Sequence, residues 1–327
     1  MLIVTDPYFM KNGTAQRLAM ISKAEKVSYF DQIQPDPSVS LAAEGTALLR
    51  QVNADTVIAL GGGSAMDCAK AMVYFAGLQV VFIAIPTTSG SGSEVTDFSI
   101  LSNDNVKHPL VDEKLQPDVA ILDSDLLKEL PPKLIADTGF DVLSHALEAF
   151  VATDASPFTD ALAKDAFLVA LEKLPRSYAG DATVRQDVHI ASCMAGLAFS
   201  GAGLGLCHAI SHSLGGMFHL PHGRLNAILL PAVVEHNASP KYRQLSQLAG
   251  LGGVTEKIAL RNLKNALISL RRSLNMPDTL RQAGINLESQ TGEIIEATLQ
   301  DPCCRTNPVP VTAEGIGQIL KAVSGYG

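Results

Sequence analysis

What most constrains this chain is a change of pattern at Pro131-Pro132. Before it, short apolar runs at residues 2–5, 27–30, 56–60, 80–85 and 119–122 are rich in β-branched side chains and bounded by turn formers, which is how buried strands read. Between them, residues 40–52 and 64–75 carry helical periodicity. Strand and helix in alternation predict a mostly parallel, Rossmann-like sheet. After the two prolines the strands stop. Segments 135–152, 158–174, 188–199, 204–218, 226–236, 256–273 and 313–323 all read as helices, with Gly, Pro and Asn at the breaks. The expected fold is therefore an α/β nucleotide-binding domain over 1–130 followed by an all-α metal-binding domain over 131–327. A chain of 327 residues is also long for a single core.

Two loops in the first half have the chemistry of a nucleotide site. Leu60-Gly61-Gly62-Gly63-Ser64-Ala-Met-Asp67 follows a strand and opens a helix, where bare amide N–H groups and the helix dipole favour a phosphate. Glycine lets a pyrophosphate approach the backbone without a Cβ in the way. Ser64 and Asp67 also read as a capping box, a role compatible with the first. The second loop, Pro86-Thr87-Thr88-Ser89-Gly90-Ser91-Gly92-Ser93, follows the next strand; alone it is a polar turn, but two such loops at neighbouring strand ends flank the usual crevice of an open α/β sheet. Gly201-Ala-Gly203-Leu-Gly205 is a decoy, because helix and not strand precedes it. Asp6 closes the first strand. A carboxylate there suits a ribose diol and repels a 2′-phosphate, although a lone acid at a strand end is also an ordinary cap.

The second half concentrates histidine. Of the chain's 8, four fall in Cys207-His208-Ala-Ile-Ser-His212-Ser-Leu-Gly-Gly-Met-Phe-His219-Leu-Pro-His222. His208 and His212 lie one helical turn apart and share a face. Pro221 ends any helix, so His222 is expected to return from a bend. In an apolar setting each imidazole needs a partner, and convergence on a divalent metal supplies one. Thr138-Gly-Phe-Asp141-Val-Leu-Ser-His145 adds a carboxylate and an imidazole at i and i+4 on a helix apolar almost all round. Thr138 and Asp141 can also be read as a capping box, whereas His145 has no such role. Asp141, His145, His208 and His222 together would offer one anionic oxygen and three nitrogens.

Composition excludes other classes. A net charge of -8 with scattered Lys and Arg argues against nucleic acid. No apolar run has the length of a membrane span, and Met1-Leu-Ile-Val-Thr lacks the basic start of a signal peptide. Five cysteines without CxxC spacing read as reduced thiols of a cytoplasmic protein.

Taken together, Gly61-Gly-Gly-Ser-Ala-Met-Asp67, Pro86-Thr-Thr-Ser-Gly90, Pro117-Asp-Val-Ala-Ile-Leu-Asp123, Thr138-Gly-Phe-Asp141-Val-Leu-Ser-His145, Gly203-Leu-Gly-Leu-Cys-His208 and Phe218-His-Leu-Pro-His222-Gly resemble the iron-containing (group III) alcohol dehydrogenase family. Within it the pattern is most like the propanol dehydrogenases of propanediol-utilising microcompartments. The resemblance implies that Asp141, His145, His208 and His222 hold Fe²⁺, or Zn²⁺ in some members, and that His212 sits near the nicotinamide. It implies NAD(H) on Gly62, Gly63, Ser64 and Asp67, with Thr87, Thr88, Ser91, Lys107 and Leu126 as further contacts and Asp6 favouring NAD over NADP. A homodimer or larger assembly is expected by the same resemblance.

The chain departs from the family pattern in four places. Met1 begins at a strand usually preceded by a further strand and helix, the connection 75–81 is short, Asp36 stands where Asn is frequent and Ser91 where Thr is. These touch stability and oligomer contacts more than chemistry.

The expected activity is reversible hydride transfer between NAD(H) and a short primary alcohol such as propanol or ethanol, with His212 as proton relay. Polyol oxidation of the glycerol dehydrogenase kind is the nearest alternative, and a catalytically silent metal- or nucleotide-binding homologue the next. A lyase acting on an anionic sugar phosphate needs several cations near the metal, and between Gly203 and Glu235 only Arg224 is available.

Overall fold

In the computed structural model, residues 1–103, 106–287 and 290–325 are described. The chain forms two compact units, Met1–Glu129 and Leu130–Gly327.

The first unit is built on five parallel strands: β1 (Leu2–Thr5), β2 (Ser28–Phe30), β3 (Thr56–Gly61), β4 (Val81–Pro86) and, after a hairpin, β7 (Val119–Ala120), in spatial order β2-β1-β3-β4-β7. Side chains alternate between the two faces. Leu2, Val4, Val57, Ala59, Phe82 and Ala84 enter one apolar cluster, and Ile3, Ile58, Leu60, Ile83 and Ile85 the other. Because both faces are covered, the strands read in sequence as near-continuous apolar runs. Helices α1 (Pro7–Lys11) and α2 (Thr14–Ser22) follow β1; α3 (Val39–Val52) precedes β3 and α4 (Gly63–Ala76) follows it. The order reverses between β1 and β3, where Thr5 pairs with Leu60. Ligands of open α/β sheets bind outside the strand C-termini at this kind of reversal, and the residues there are Asp6 and Gly61–Gly63.

The parallel sheet agrees with the sequence reading, but the antiparallel hairpin β5 (Phe98–Asn103) and β6 (Val106–Val111) was not anticipated. Pro109 interrupts its second strand, a signal that argues against a strand. The hairpin is tied to α4 by Lys70, whose Nζ donates to Thr96 O, Thr96 Oγ1 and Phe98 O at 2.8, 2.9 and 2.8 Å. Ser99 Oγ donates to Asp67 O at 2.8 Å.

The second unit is helical: α5 (Pro132–Val151), α6 (Pro157–Tyr178), α7 (Arg185–Ala202), α8 (Leu206–Phe218), α9 (His222–Asn237), α10 (Lys241–Leu248), α11 (Glu256–Ser273), α12 (Thr291–Gln300) and α13 (Ala313–Val323). Helix α5 is buried along nearly its whole length and packs against α6, α7 and α9, as its all-round apolar sequence requires. The short helices α10 and α12 were not expected. Among the described residues no single helix is long and apolar enough to cross a membrane.

Candidate metal centre and cofactor loops

Three helices supply the histidine and carboxylate cluster. On α5, Asp141 and His145 lie one turn apart in mid-helix. Thr138 Oγ1 donates back to Leu134 O at 2.9 Å, so Thr138 and Asp141 do not form a capping box. Helix α8 presents His208 and His212 from successive turns and ends at Phe218, with His219 left-handed (φ 53°) and exposed at its C-cap. The bend expected at Pro221 exists, but His222 is not in it. Pro221 is the N-cap of α9 and His222 its first residue, so the helix begins earlier than its apolar periodicity indicated.

Asp141, His145 and His208 are buried, and their donor atoms all lie within 4.8 Å of one another. Asp141 Oδ1 stands 3.8 Å from His208 Nε2 and 3.8 Å from His222 Nε2. The His145 ring stacks on His208 (4.6 Å, 17°) and on Phe199 (4.3 Å, 25°), which fixes its plane. His212 stacks on His222 (5.0 Å, 17°) but turns its Nδ1 to Asp301 Oδ2 at 2.8 Å; it belongs to a second group with Asp301 and Cys303.

The carboxylates and imidazoles of the first cluster stabilise each other's charge. Burial pushes the Asp141 carboxyl up, yet the imidazoles of His145, His222 and His208 outweigh it and hold the group well below the usual carboxylate range. At His208, burial disfavours a proton, but the bonds to Asp141 and Glu148 raise the imidazole to about 9. A pocket that favours positive charge against its own desolvation suits a cation. Donors sharing one ion at about 2.0–2.2 Å lie no more than roughly 4.4 Å apart. The 3.8 Å separations of His208 and His222 from Asp141 meet this limit, the 4.8 Å that bounds the spread of Asp141, His145 and His208 lies just outside it, and one oxygen with several imidazole nitrogens suits iron or zinc. The donor set therefore fits a divalent transition metal.

In the first unit the two glycine- and hydroxyl-rich loops meet. A Cβ on Gly62 would stand 3.2 Å from Thr88 Oγ1, and one on Gly63 3.2 Å from Ser91 Cβ. Gly62 is the N-cap of α4 and makes no side-chain cap, so Ser64 and Asp67 form no capping box. Asp67 instead accepts from Ser93 Oγ at 2.8 Å, tying the second loop to α4. Thr87 is buried, and its N–H donates to Gly61 O at 2.9 Å. Asp6 caps α1 through Oδ1, which accepts from Tyr8 N and Phe9 N at 2.9 and 3.3 Å. A Cβ on Gly61 would lie 3.8 Å from the other oxygen, Oδ2. Asp6, Gly62, Gly63, Thr88 and Ser91 thus surround one turn, with Ser64 following in the first turn of α4. Lys107 pairs with Asp36 at 2.9 Å, and Leu126 packs against the α1–α2 face of the sheet.

Sequence comparison matches residues 1–124 to the iron-containing alcohol dehydrogenases and 135–324 to the C-terminal part of the Fe-containing alcohol dehydrogenase family. The chain belongs to the iron-containing alcohol dehydrogenase family. The 1-propanol dehydrogenase PduQ of Salmonella typhimurium is 41% identical over 90% of this chain and 85% of its own. The NADPH-dependent butanol dehydrogenase of Clostridium saccharobutylicum is 38% identical over 91% and 84%. Among solved structures, a 1,3-propanediol oxidoreductase superposes with a TM-score of 0.94 at 32% identity, covering 98% of this chain and 91% of that one.

In this member of the iron-containing alcohol dehydrogenase family, several site residues escaped sequence reasoning. Asn226 donates from Nδ2 to Asp141 Oδ1 at 2.8 Å, and its amide is oriented by Ser211 Oγ, which donates to Oδ1. Glu148 meets His208 Nδ1. Burial pushes the Asp301 carboxyl up, but the bond from His212 outweighs it and leaves the group below its ordinary value. Gly203 and Gly205 admit the segment after α12, since a Cβ would meet Thr306 Oγ1 at 2.4 Å or Asn307 Oδ1 at 2.8 Å. The glycines after α7 are therefore needed for packing, a role their sequence did not announce.

Proposed function

We propose that the chain reversibly oxidises a short primary alcohol, propanol or ethanol, to its aldehyde with NAD(H), using Fe²⁺ or, in its place, Zn²⁺. The observation that carries this reading is the convergence of Asp141, His145 and His208 within 4.8 Å, with His222 Nε2 3.8 Å from the same carboxylate oxygen. These four residues would hold the ion, which when bound supplies Lewis acidity toward the substrate oxygen. The protein's own work is placement and proton handling. The bond from His212 Nδ1 to Asp301 leaves Nε2 as the nitrogen that takes the alcohol proton and passes it toward solvent. Asp6, with one oxygen committed to capping and the other facing the glycine turn, is assigned to the ribose and favours NAD over NADP. Gly62, Gly63 and Ser64 offer helix N–H groups to the pyrophosphate. Thr87, Thr88 and Ser91 line the same turn, Asp67 acts by holding Ser93, and Lys107 and Leu126 are assigned to its border.

Arg224 speaks against the lyase alternative. It is spent in a two-point bond to Asp137 and offers no free cation to a sugar phosphate. The likeness to PduQ supports propanediol utilisation as the setting, in the cytoplasm or inside a microcompartment; a homodimer or larger assembly as the working form is carried over from the family resemblance alone.

The test is anaerobic reconstitution of metal-stripped protein with Fe²⁺ or Zn²⁺. Loss of NADH absorbance is then followed with propanal, acetaldehyde and dihydroxyacetone, and repeated with NADPH. Turnover of propanal with NADH above NADPH is expected. No turnover of any aldehyde with either metal sinks the reading, and a preference for dihydroxyacetone moves it to polyol oxidation.

A further inference from the structure

Helix α5 carries a third polar residue on the stripe that bears Asp141 and His145. Glu148 follows at the next turn, is 3% exposed and reaches the start of α8. Its Oε2 accepts from Gly205 N at 2.9 Å and His208 N at 3.3 Å, and its Oε1 from Cys207 N at 2.6 Å. That much is a helix cap supplied from another helix. The same Oε2 also meets His208 Nδ1 at 2.6 Å, a bond that capping does not need.

We infer that Glu148 is a positioning residue for the metal centre. By accepting a hydrogen bond from His208 Nδ1–H it fixes the ring plane, so that Nε2 is the nitrogen that faces Asp141 and is available to an ion. Carboxylates behind metal-bound histidines raise ligand basicity and set orientation in this way. Here the carboxylate also anchors the backbone that carries the ring, so ligand and helix start are held by one group. Glutamine in its place would present an N–H to one of these donors. Turned toward Nδ1, that N–H makes the ring nitrogen an acceptor and moves the proton to Nε2, the atom required for the ion.

The inference rests on the metal reading above, and the experiment separates the two. Metal-stripped wild type and Glu148→Gln are titrated with Zn²⁺ by calorimetry and with Fe²⁺ under argon, after circular dichroism has compared their folds. The expected result is binding by wild type and roughly 10–100-fold weaker binding by Glu148→Gln. Unchanged affinity in a folded Glu148→Gln overturns the inference and leaves the metal reading intact, whereas no binding by wild type overturns the metal reading itself. If Glu148→Gln does not fold, wild type decides alone. In Zn²⁺-loaded protein with ¹⁵N-labelled histidine, His208 is expected to show a protonated Nδ1 and a metal-bound Nε2, and the reverse arrangement overturns the inference.

Discussion

Asp141 Oδ1 faces His208, His222 and Asn226 at once. Truncating it removes the only carboxylate of the proposed donor set and the nearer of the two groups that Asn226 Nδ2 faces. Asp141→Ala and His222→Ala are therefore expected to purify without bound iron or zinc and without turnover; full metal content with full activity in either refutes their assignment. His212→Ala behaves differently. Its Nδ1 is already committed to Asp301, so metal content by elemental analysis should stay at the wild-type level while turnover falls and its pH profile changes. These residues were legible because histidines four apart on an apolar segment have few structural uses. Glu148 was not, because its partners lie 57–60 positions away and nothing local in Leu-Glu-Ala-Phe announces them. Asp301 was hidden for the same reason, with His212 89 positions distant.

Helices α5 and α9 approach so closely that the Cβ of an alanine at Gly223 would stand 1.9 Å from Asp137 O. The neighbour is backbone and cannot swing aside, so Gly223→Ala has to part the two helices that carry Asp141 and His222. Stability is expected to fall by about 3 kcal/mol, the upper end of overpacking, together with metal affinity. Urea unfolding and calorimetry check this, and a variant with wild-type values on both counts contradicts the close approach. In the first unit, α4 holds its hairpin through Lys70. Burial is the strongest influence on that ammonium, and it outweighs the attraction of Asp67, Glu94 and Asp97, lowering the pKa from 10.5 to about 8. Between these two values the unfolded chain binds more protons than the folded one, so stability should rise with pH across the window. The charging cost present below pH 8 should vanish above 10.5. The slope contributed is at most ~1.4 kcal/mol per pH unit. Measured as the difference between wild type and Lys70→Met, it is absent if the amine stays charged throughout. Strand and helix periodicity made most elements readable. The hairpin that Lys70 holds was not, since Pro109 and Lys107 break its pattern and its pairing depends on a lysine in another element.

For the whole molecule, division into the units Met1–Glu129 and Leu130–Gly327 sets where each ligand should be felt. A ligand that binds only the native state stabilises it by about 2.7 kcal/mol at a hundred times its dissociation constant. Hydrogen exchange should therefore slow in α5, α8 and α9 on adding Zn²⁺, and at Gly62–Asp67 and Thr87–Ser93 on adding NAD⁺. Protection in the opposite pattern contradicts the division of labour. The change at Pro131-Pro132 was plain in sequence because a parallel sheet needs alternation and a helical unit does not. The thiols bear on how the protein would age in air. Burial pushes Cys68 and Cys304 up to about 12 and Cys303 well above its usual value, so these sulfurs stay protonated at neutral pH and react sluggishly with peroxide. Activity lost on exposure to oxygen should then owe nothing to these three sulfurs and return with fresh ferrous salt under argon, making the cation the perishable part; recovery with dithiothreitol alone would point instead to the half-exposed Cys193.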